Sequence, residues 1–397
     1  MKVHRTIHRP ALLAIIAMMM TLASSVSAQS KPRARDLGIP FDGTPGPNNA
    51  ITDVQGVEVG YTTLISGSGK LKVGEGPVRT GVTAVLPRGK RVFGDPVFAG
   101  WYSLNGNGEM TGTTWVEESG FLEGPVMITN THSVGVVRDA VIDWRIHHGG
   151  PDSTGYWWSL PVVAETYDGA LNDINGFHVK PEHVFNAIDT ASGGAITEGN
   201  IGGGTGMICH EFKCGIGTSS RRVTVGSQAY TVGVLVQANY GVRDTLRIAG
   251  VPVGQQLREH RVWTDQALGG DTGSIIIVVA TDAPLLPHQM KRIAKRAALG
   301  LARNGSYAGN GSGDLFVAFS TANADAVRDQ ALNAATFVGN DSIDPLFLGT
   351  VEATEEAIVN ALIAARDMTG QGGHYAIAIP QDALRALLRK HSRLASR

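Results

Sequence analysis

The chain has 397 residues, with 34 Lys and Arg against 35 Asp and Glu, a formal net charge of −1, and 43% hydrophobic residues. That balance excludes a generally basic nucleic-acid binder, which needs surplus cations to displace phosphate counterions. Two cysteines exclude a disulfide-stapled scaffold or a four-cysteine zinc site.

In chain order, Lys2, Arg5 and Arg9 precede an apolar stretch from Ala11 to Ala23, and Val26-Ser27-Ala28 has the small-residue pattern of a secretory cleavage site. The apolar stretch is short for a membrane span. Residues 1–28 therefore read as an export leader, with a membrane anchor as the alternative. Its removal takes away three cations, leaves a formal charge of −4, and places the remaining chain in the periplasm or outside the cell. Beyond the leader no apolar run approaches the roughly 18 residues of a span, so no membrane association is expected.

Residues 30–50 read as an extended arm with turns. Strands are predicted over 57–63, 81–86, 126–131, 162–165, 222–225 and 230–237, the last two flanking the turn residues Gly226-Ser227-Gln228. Val136, Val137, Ala140, Val141 and Trp144 recur at helical spacing and predict a helix over 134–148. The unbroken β-branched run at 274–280 predicts a strand buried on both faces, and 314–320 a second. Between them Pro287 opens a helix with Met290, Ile293, Ala294, Ala297 and Leu301 on one face and Lys291, Arg292, Lys295 and Arg296 on the other. A helix over 352–367, a strand over 374–379 and a helix over 380–392, with Leu384, Leu387 and Leu388 inward, close the chain. Residues 29–397 read as one compact α+β domain. Four residues separate Cys209 from Cys214, which suits either a small disulfide loop in an oxidising compartment or two buried free thiols.

Glycine is the compositional outlier, 51 residues or about 13% against a usual share near 7%. One dense run ends in Asp271-Thr272-Gly273-Ser274. Aspartic proteases carry this tetrapeptide, but they need two aspartates sharing a proton, and the chain has no second copy. A serine at the head of a buried strand, after a glycine that tolerates unusual backbone, is a candidate N-terminal nucleophile; an ordinary turn-to-strand serine is the alternative. Cleavage before it would release an α-amine, ordinarily of pKa about 7.7–8, able to act as base for its own hydroxyl. A second run, residues 305–313, leads into the other buried strand. Ser312 and Asp314 share a face there if the chain is extended, with a self-bonded turn as the alternative. Gly199–Gly206 lacks both the dinucleotide context and the Gly-Lys-Ser/Thr of a P-loop. His147, His148, His210, His288 and His374 show no zinc-protease grouping and default to solvated or capping roles; Arg221, Arg222 and Lys291–Arg296 read as solvated faces.

Several motifs together resemble the DmpA/BapA family of self-processing aminopeptidases: Ile51-Thr-Asp-Val-Gln-Gly-Val-Glu-Val-Gly60, Pro161-Val-Val-Ala-Glu-Thr-Tyr-Asp-Gly169, Gly202-Gly-Gly-Thr-Gly-Met207, Gln237-Ala-Asn-Tyr-Gly241, the segment 273–284 and Gly309-Asn-Gly-Ser-Gly-Asp314. The resemblance implies a four-layer αββα sandwich like that of N-terminal-nucleophile hydrolases. It implies a precursor cut at Gly273–Ser274 into chains 29–273 and 274–397 that stay together, assembly into a tetramer or octamer, and no metal or organic cofactor. Ser274 is the implied nucleophile, and Ser312 the second serine that contacts it or its amine. Asp314 matches an acidic position that can be Glu in β-peptidases, so the resemblance leaves the choice between α- and β-peptides open. Asn239 and Tyr167 are the implied oxyanion donors, and Glu165 a weaker candidate for holding the substrate's amine. The implied substrates are small peptides, amides or esters with a free amino terminus. Two alternatives are an ornithine acetyltransferase-like self-cleaving enzyme, whose cut site carries Thr, and a non-enzymatic periplasmic solute-binding protein.

Overall fold

The computed structural model describes Met1 and residues 32–90, 95–149, 154–155, 157–259, 262–264, 270–271, 273–324, 326 and 331–395. Apart from Met1, the expected export leader over 1–28 and its expected cleavage site lie outside the described residues.

Two sheets face one another. The smaller runs in the order β1 (Glu58–Ser66), β2 (Val78–Leu86), β5 (Val126–Asn130), β6 (Val162–Thr166). The larger runs β4 (Phe121–Leu122), β3 (Val97–Ser103), β12 (Gly313–Ser320), β11 (Ser274–Thr281), β10 (Gln228–Asn239), β9 (Ile216–Val225). Strands β11 and β12 are parallel neighbours, while β10 pairs antiparallel with β11 and with β9. Helices α2 (Val134–His147) and α3 (Pro181–Asp189) cover the outer face of the small sheet. Helices α5 (Pro287–Arg303) and α6 (Asp344–Ala364) cover that of the large sheet. The result is the expected αββα sandwich.

Three apolar cores separate the layers, and strand alternation fills them. Along β11, Ile276, Val278 and Ala280 enter the core between the sheets, while Ile275, Ile277 and Val279 enter the core beneath α5 and α6. A strand buried on both faces needs an unbroken apolar run, and that is what 274–280 supplies. Part of the glycine excess serves this layering. A Cβ on Gly217 of β9 would fall 2.0 Å from the Ala357 carbonyl oxygen of α6, so helix and strand approach closer than any side chain allows.

The remaining elements are short. Helix α1 (Thr113–Ser119) packs on β3, strands β7 (Ile208–Cys209) and β8 (Phe212–Lys213) form a hairpin, and α4 (Val253–Gln256) follows β10. Strands β13 (Met368–Thr369) and β14 (Tyr375–Ala376) pair, and α7 (Gln381–Lys390) closes the fold. The strand expected over 374–379 thus shrinks to two residues, because its ladder partner β13 is equally short and its other neighbour is a single bridge from Tyr375 to Trp263. The helix expected from 352 begins at Asp344; it is buried on nearly every side, and packing outweighs the weak helical propensity of Gly349-Thr350-Val351. Sequence reading foresaw neither β3 nor α1 nor α3.

Arg221 is buried, contrary to its reading as a solvated face. Its guanidinium lies 2.9 Å from Glu356 and 3.5 Å from Glu352 on α6. His210 is also buried, against its default solvated role. Its Nδ1 lies 3.0 Å from the Val242 carbonyl, and desolvation holds the imidazole down at about 4, so it stays neutral. Cys209 and Cys214 are joined in a disulfide across the β7–β8 hairpin.

Candidate active site

Ser274 is the first residue of β11 and is 5% exposed. Its flanking strands present Asn239 as its antiparallel partner on β10 and Gly313 as its parallel partner on β12. The Gly273–Ser274 bond therefore lies across the ends of three adjacent strands. Gly313 N–H donates to the Gly273 carbonyl oxygen at 3.2 Å. Gly273 is required here for a reason other than backbone freedom. Its φ is outside the left-handed region, but a Cβ would fall 1.9 Å from the Asn239 carbonyl oxygen and 2.7 Å from the Tyr240 Cα.

Asn239 is held in one orientation. Its Oδ1 accepts the Ile208 N–H at 2.8 Å, which fixes Nδ2 as the free donor. Tyr167 is half-exposed, and burial, then Asp168, pushes its phenol up, so it remains a proton donor. Asn239, Tyr167 and Gly273 line one cleft together with Ile208, Glu211 and Gly241; Ser312, Asp314 and Glu165 do not line it.

Ser312 and Asp314 do form a pair. The Ser312 hydroxyl donates to Asp314 Oδ1 at 2.7 Å, and both side chains are buried. Desolvation raises the Asp314 carboxyl to about 6 against the pull of Ser312, and Asp271 raises it further. The Ile275 N–H of the neighbouring strand acts in the opposite direction and lowers it. By alternation Ser274 points between the sheets with Ile276, whereas Asp314 lies on the Phe316 side. The pair thus meets the Ser274 strand from the backbone side.

Glu165, near the end of β6, is buried; its carboxylate accepts the Glu109 N–H at 3.0 Å and the Thr131 hydroxyl. Desolvation, its largest influence, raises its carboxyl. Gly108 stands between it and the strand ends: a Cβ there would lie 3.2 Å from Glu165 Oε1 and 3.1 Å from Gly313 Cα. Sequence reading missed this 105–109 strap. Asn105 Oδ1 accepts the Asp314 N–H at 2.7 Å, and Asn105 Nδ2 donates to the Gly309 carbonyl at 3.0 Å. Its Asn-Gly-Asn-Gly composition signalled a turn and nothing more. Of the glycine runs, 202–206 packs between the sheets. A Cβ on Gly203 would meet Gln237 Oε1 at 2.2 Å and the Ile128 carbonyl at 2.7 Å.

The sequence pattern of peptidase family S58 matches residues 49–376. The chain belongs to peptidase family S58. Its similarity to individual S58 peptidases runs the length of the chain. It is 56% identical over 395 residues to the beta-peptidyl aminopeptidase BapA of Sphingosinicella microcystinivorans, covering 96% of this chain and 98% of that protein. To BapA of Sphingosinicella xenopeptidilytica it is 48% identical over 391 residues, 96% of each. Among solved structures, the L-aminopeptidase D-Ala-esterase/amidase of Ochrobactrum anthropi matches with a TM-score of 0.84 and 48% identity, over 92% of this chain and all of that one. That enzyme is described as a prototype of the serine aminopeptidases and a variant of the N-terminal-nucleophile hydrolase fold. None of these S58 relatives is an acetyltransferase or a solute-binding protein.

Proposed function

We propose that this S58 peptidase cuts its own Gly273–Ser274 bond and then acts as a serine aminopeptidase on short peptides, amides or esters with a free amino terminus. Residues with β-amino acid backbones are included, in keeping with its BapA relatives. The observation that carries the reading is the placement of Gly273–Ser274 across the ends of β10, β11 and β12, its carbonyl held by Gly313 N–H.

In self-processing, Ser274 Oγ attacks the Gly273 carbonyl carbon. The Gly273–Ser274 C–N bond breaks, the nitrogen takes the hydroxyl proton, and an ester forms. Water then hydrolyses the ester, leaving a Gly273 carboxylate and a Ser274 with free hydroxyl and amine. In turnover the amine serves as the general base while the hydroxyl attacks the substrate carbonyl, forming an acyl-enzyme that water or an amine resolves. Asn239 Nδ2 and the Tyr167 hydroxyl are the donors available to the oxyanion, a type of contact whose loss typically costs about 10²–10³ in rate. The Ser312–Asp314 pair supplies a polarised hydroxyl beside the nucleophile's strand, and Glu165 is the carboxylate for the substrate ammonium.

Export by the 1–28 leader belongs to the same reading. The Cys209–Cys214 disulfide supports it, since such bonds persist in oxidising compartments. So does assembly into a tetramer or octamer, which a solution mass measurement tests. Ser274→Ala should yield one uncut chain on a denaturing gel. The unsubstituted protein should give two fragments, with a new amino terminus at Ser274, and should turn over free but not N-acetylated aminoacyl amides. Normal processing of Ser274→Ala would sink the assignment.

A further inference from the structure

Three residues before the nucleophile, Asp271 is 5% exposed and both of its carboxylate oxygens are occupied. Oδ1 accepts the Gly241 N–H at 2.8 Å, and Oδ2 accepts the Gly309 N–H at 3.2 Å. The two donors belong to different walls of the site. Gly241 follows Asn239 at the end of β10, and Gly309 opens the loop that delivers Ser312 and Gly313 to β12. The approach is close as well as polar, since a Cβ on Gly309 would fall 2.6 Å from both the Cβ and the carbonyl oxygen of Asp271. A single side chain on the segment to be cut therefore ties together the two loops that supply the Asn239 amide and the Gly313 N–H on the scissile carbonyl.

We propose that Asp271 is a positioning residue for self-processing, holding the Asn239 and Ser312–Gly313 loops in register with the Gly273–Ser274 bond. The inference rests on the reading of that bond as the cut site. No atom of Asp271 needs to react. Its two hydrogen bonds fix where the carbonyl stands relative to its donors, and a misplacement of about 1 Å can cost on the order of 10² in rate. Its charge is also felt inside the site. Asp271 adds to the burial that raises the Asp314 carboxyl, and it acts on Tyr240 and His210, which flank the same turn. Replacing the carboxylate by an amide removes that like charge, so Asp314 ionises at lower pH. Oδ1 or Oδ2, but not both, is then retained as an acceptor.

The test uses the full chain made by cell-free synthesis and chased at pH 5–9, with fragment appearance read on denaturing gels. Asp271→Ala should slow cleavage at least tenfold. Asp271→Asn should slow it less, and should move the acid limb of the cleavage-rate profile to lower pH. A side chain with a purely structural role would lower the rate without moving that limb. The inference is overturned if both variants cleave at the unsubstituted rate, or if Asp271→Asn slows cleavage with the limb unmoved. Resistance to trypsin equal to that of the uncut Ser274→Ala chain establishes that slow variants are folded. If Ser274→Ala is itself cut normally, the cut-site reading fails, an outcome separate from the two above.

Discussion

Asp314 shows how the site sets function against stability. Its carboxyl is raised to about 6 in the fold from an ordinary 3.8, chiefly by desolvation. The folded state then holds the proton more tightly than the unfolded chain. Stability falls as pH rises from about 4 through 6, and the whole penalty is present above that range. Asp314→Asn should therefore raise the melting temperature by a few degrees at pH 8, give no gain at pH 4, and remove most aminopeptidase turnover; thermal scans at both pH values with an activity assay check this. Individual residues were legible to different degrees. Ser274, Ser312 and Asp314 stand beside glycines at the heads of buried strands, and their local pattern was visible. Asp271 was met only as part of an aspartic-protease tetrapeptide, because its two partners lie 30 and 38 residues away in sequence. Arg221 and His210 were misread because a charged or imidazole side chain is assigned to solvent by default, and only the fold supplies the carboxylates and carbonyls that let it be buried.

Among the elements, the β7–β8 hairpin carries more of the site than its length suggests. Ile208 N–H orients Asn239, Ile208 and Glu211 line the cleft, and the Cys209–Cys214 disulfide closes the hairpin. Removing that bond by Cys209→Ser with Cys214→Ser should cost about 2 kcal/mol, the low end expected for a short loop. It should also lower kcat more than it raises KM, because the Asn239 donor loses its orientation. Urea unfolding and steady-state kinetics measure the two effects. Long elements with strong periodicity, such as α5, β11 and α2, were predicted within a few residues. The failures included β3, whose residues alternate weakly, the short helices α1 and α3, and α6, whose first two turns look unhelical in isolation. A two-residue strand such as β14 has no period to read.

At the scale of the molecule, the arm before β1 is held by ionic contacts into the region that the proposed cut would leave in the shorter chain. Arg35 Nε lies 2.8 Å from Glu356, Arg221 adds a second contact to the same carboxylate, and Asn49 donates to it at 2.6 Å. Glu356 is fully buried on α6, and together these partners hold its carboxyl below the ordinary range despite burial. Glu356→Ala would leave two guanidinium groups without that carboxylate, a change that typically costs about 3–5 kcal/mol. A lower melting temperature, and easier separation of the two fragments in urea, are the expected readings. A melting temperature equal to that of the unsubstituted protein would show that the contacts add nothing. What the sequence determined by itself was the layered α+β class, the two buried strands, and the Gly-Ser and Ser-Gly-Asp motifs at their heads, because periodicity and local backbone demands are written in neighbouring residues. Tertiary structure alone decided that β10, β11 and β12 lie side by side, that Asp271 and the 105–109 strap brace their ends, and that Gly273 is glycine for want of space. Those facts depend on which distant segments come within hydrogen-bond or van der Waals distance, and no local pattern encodes that.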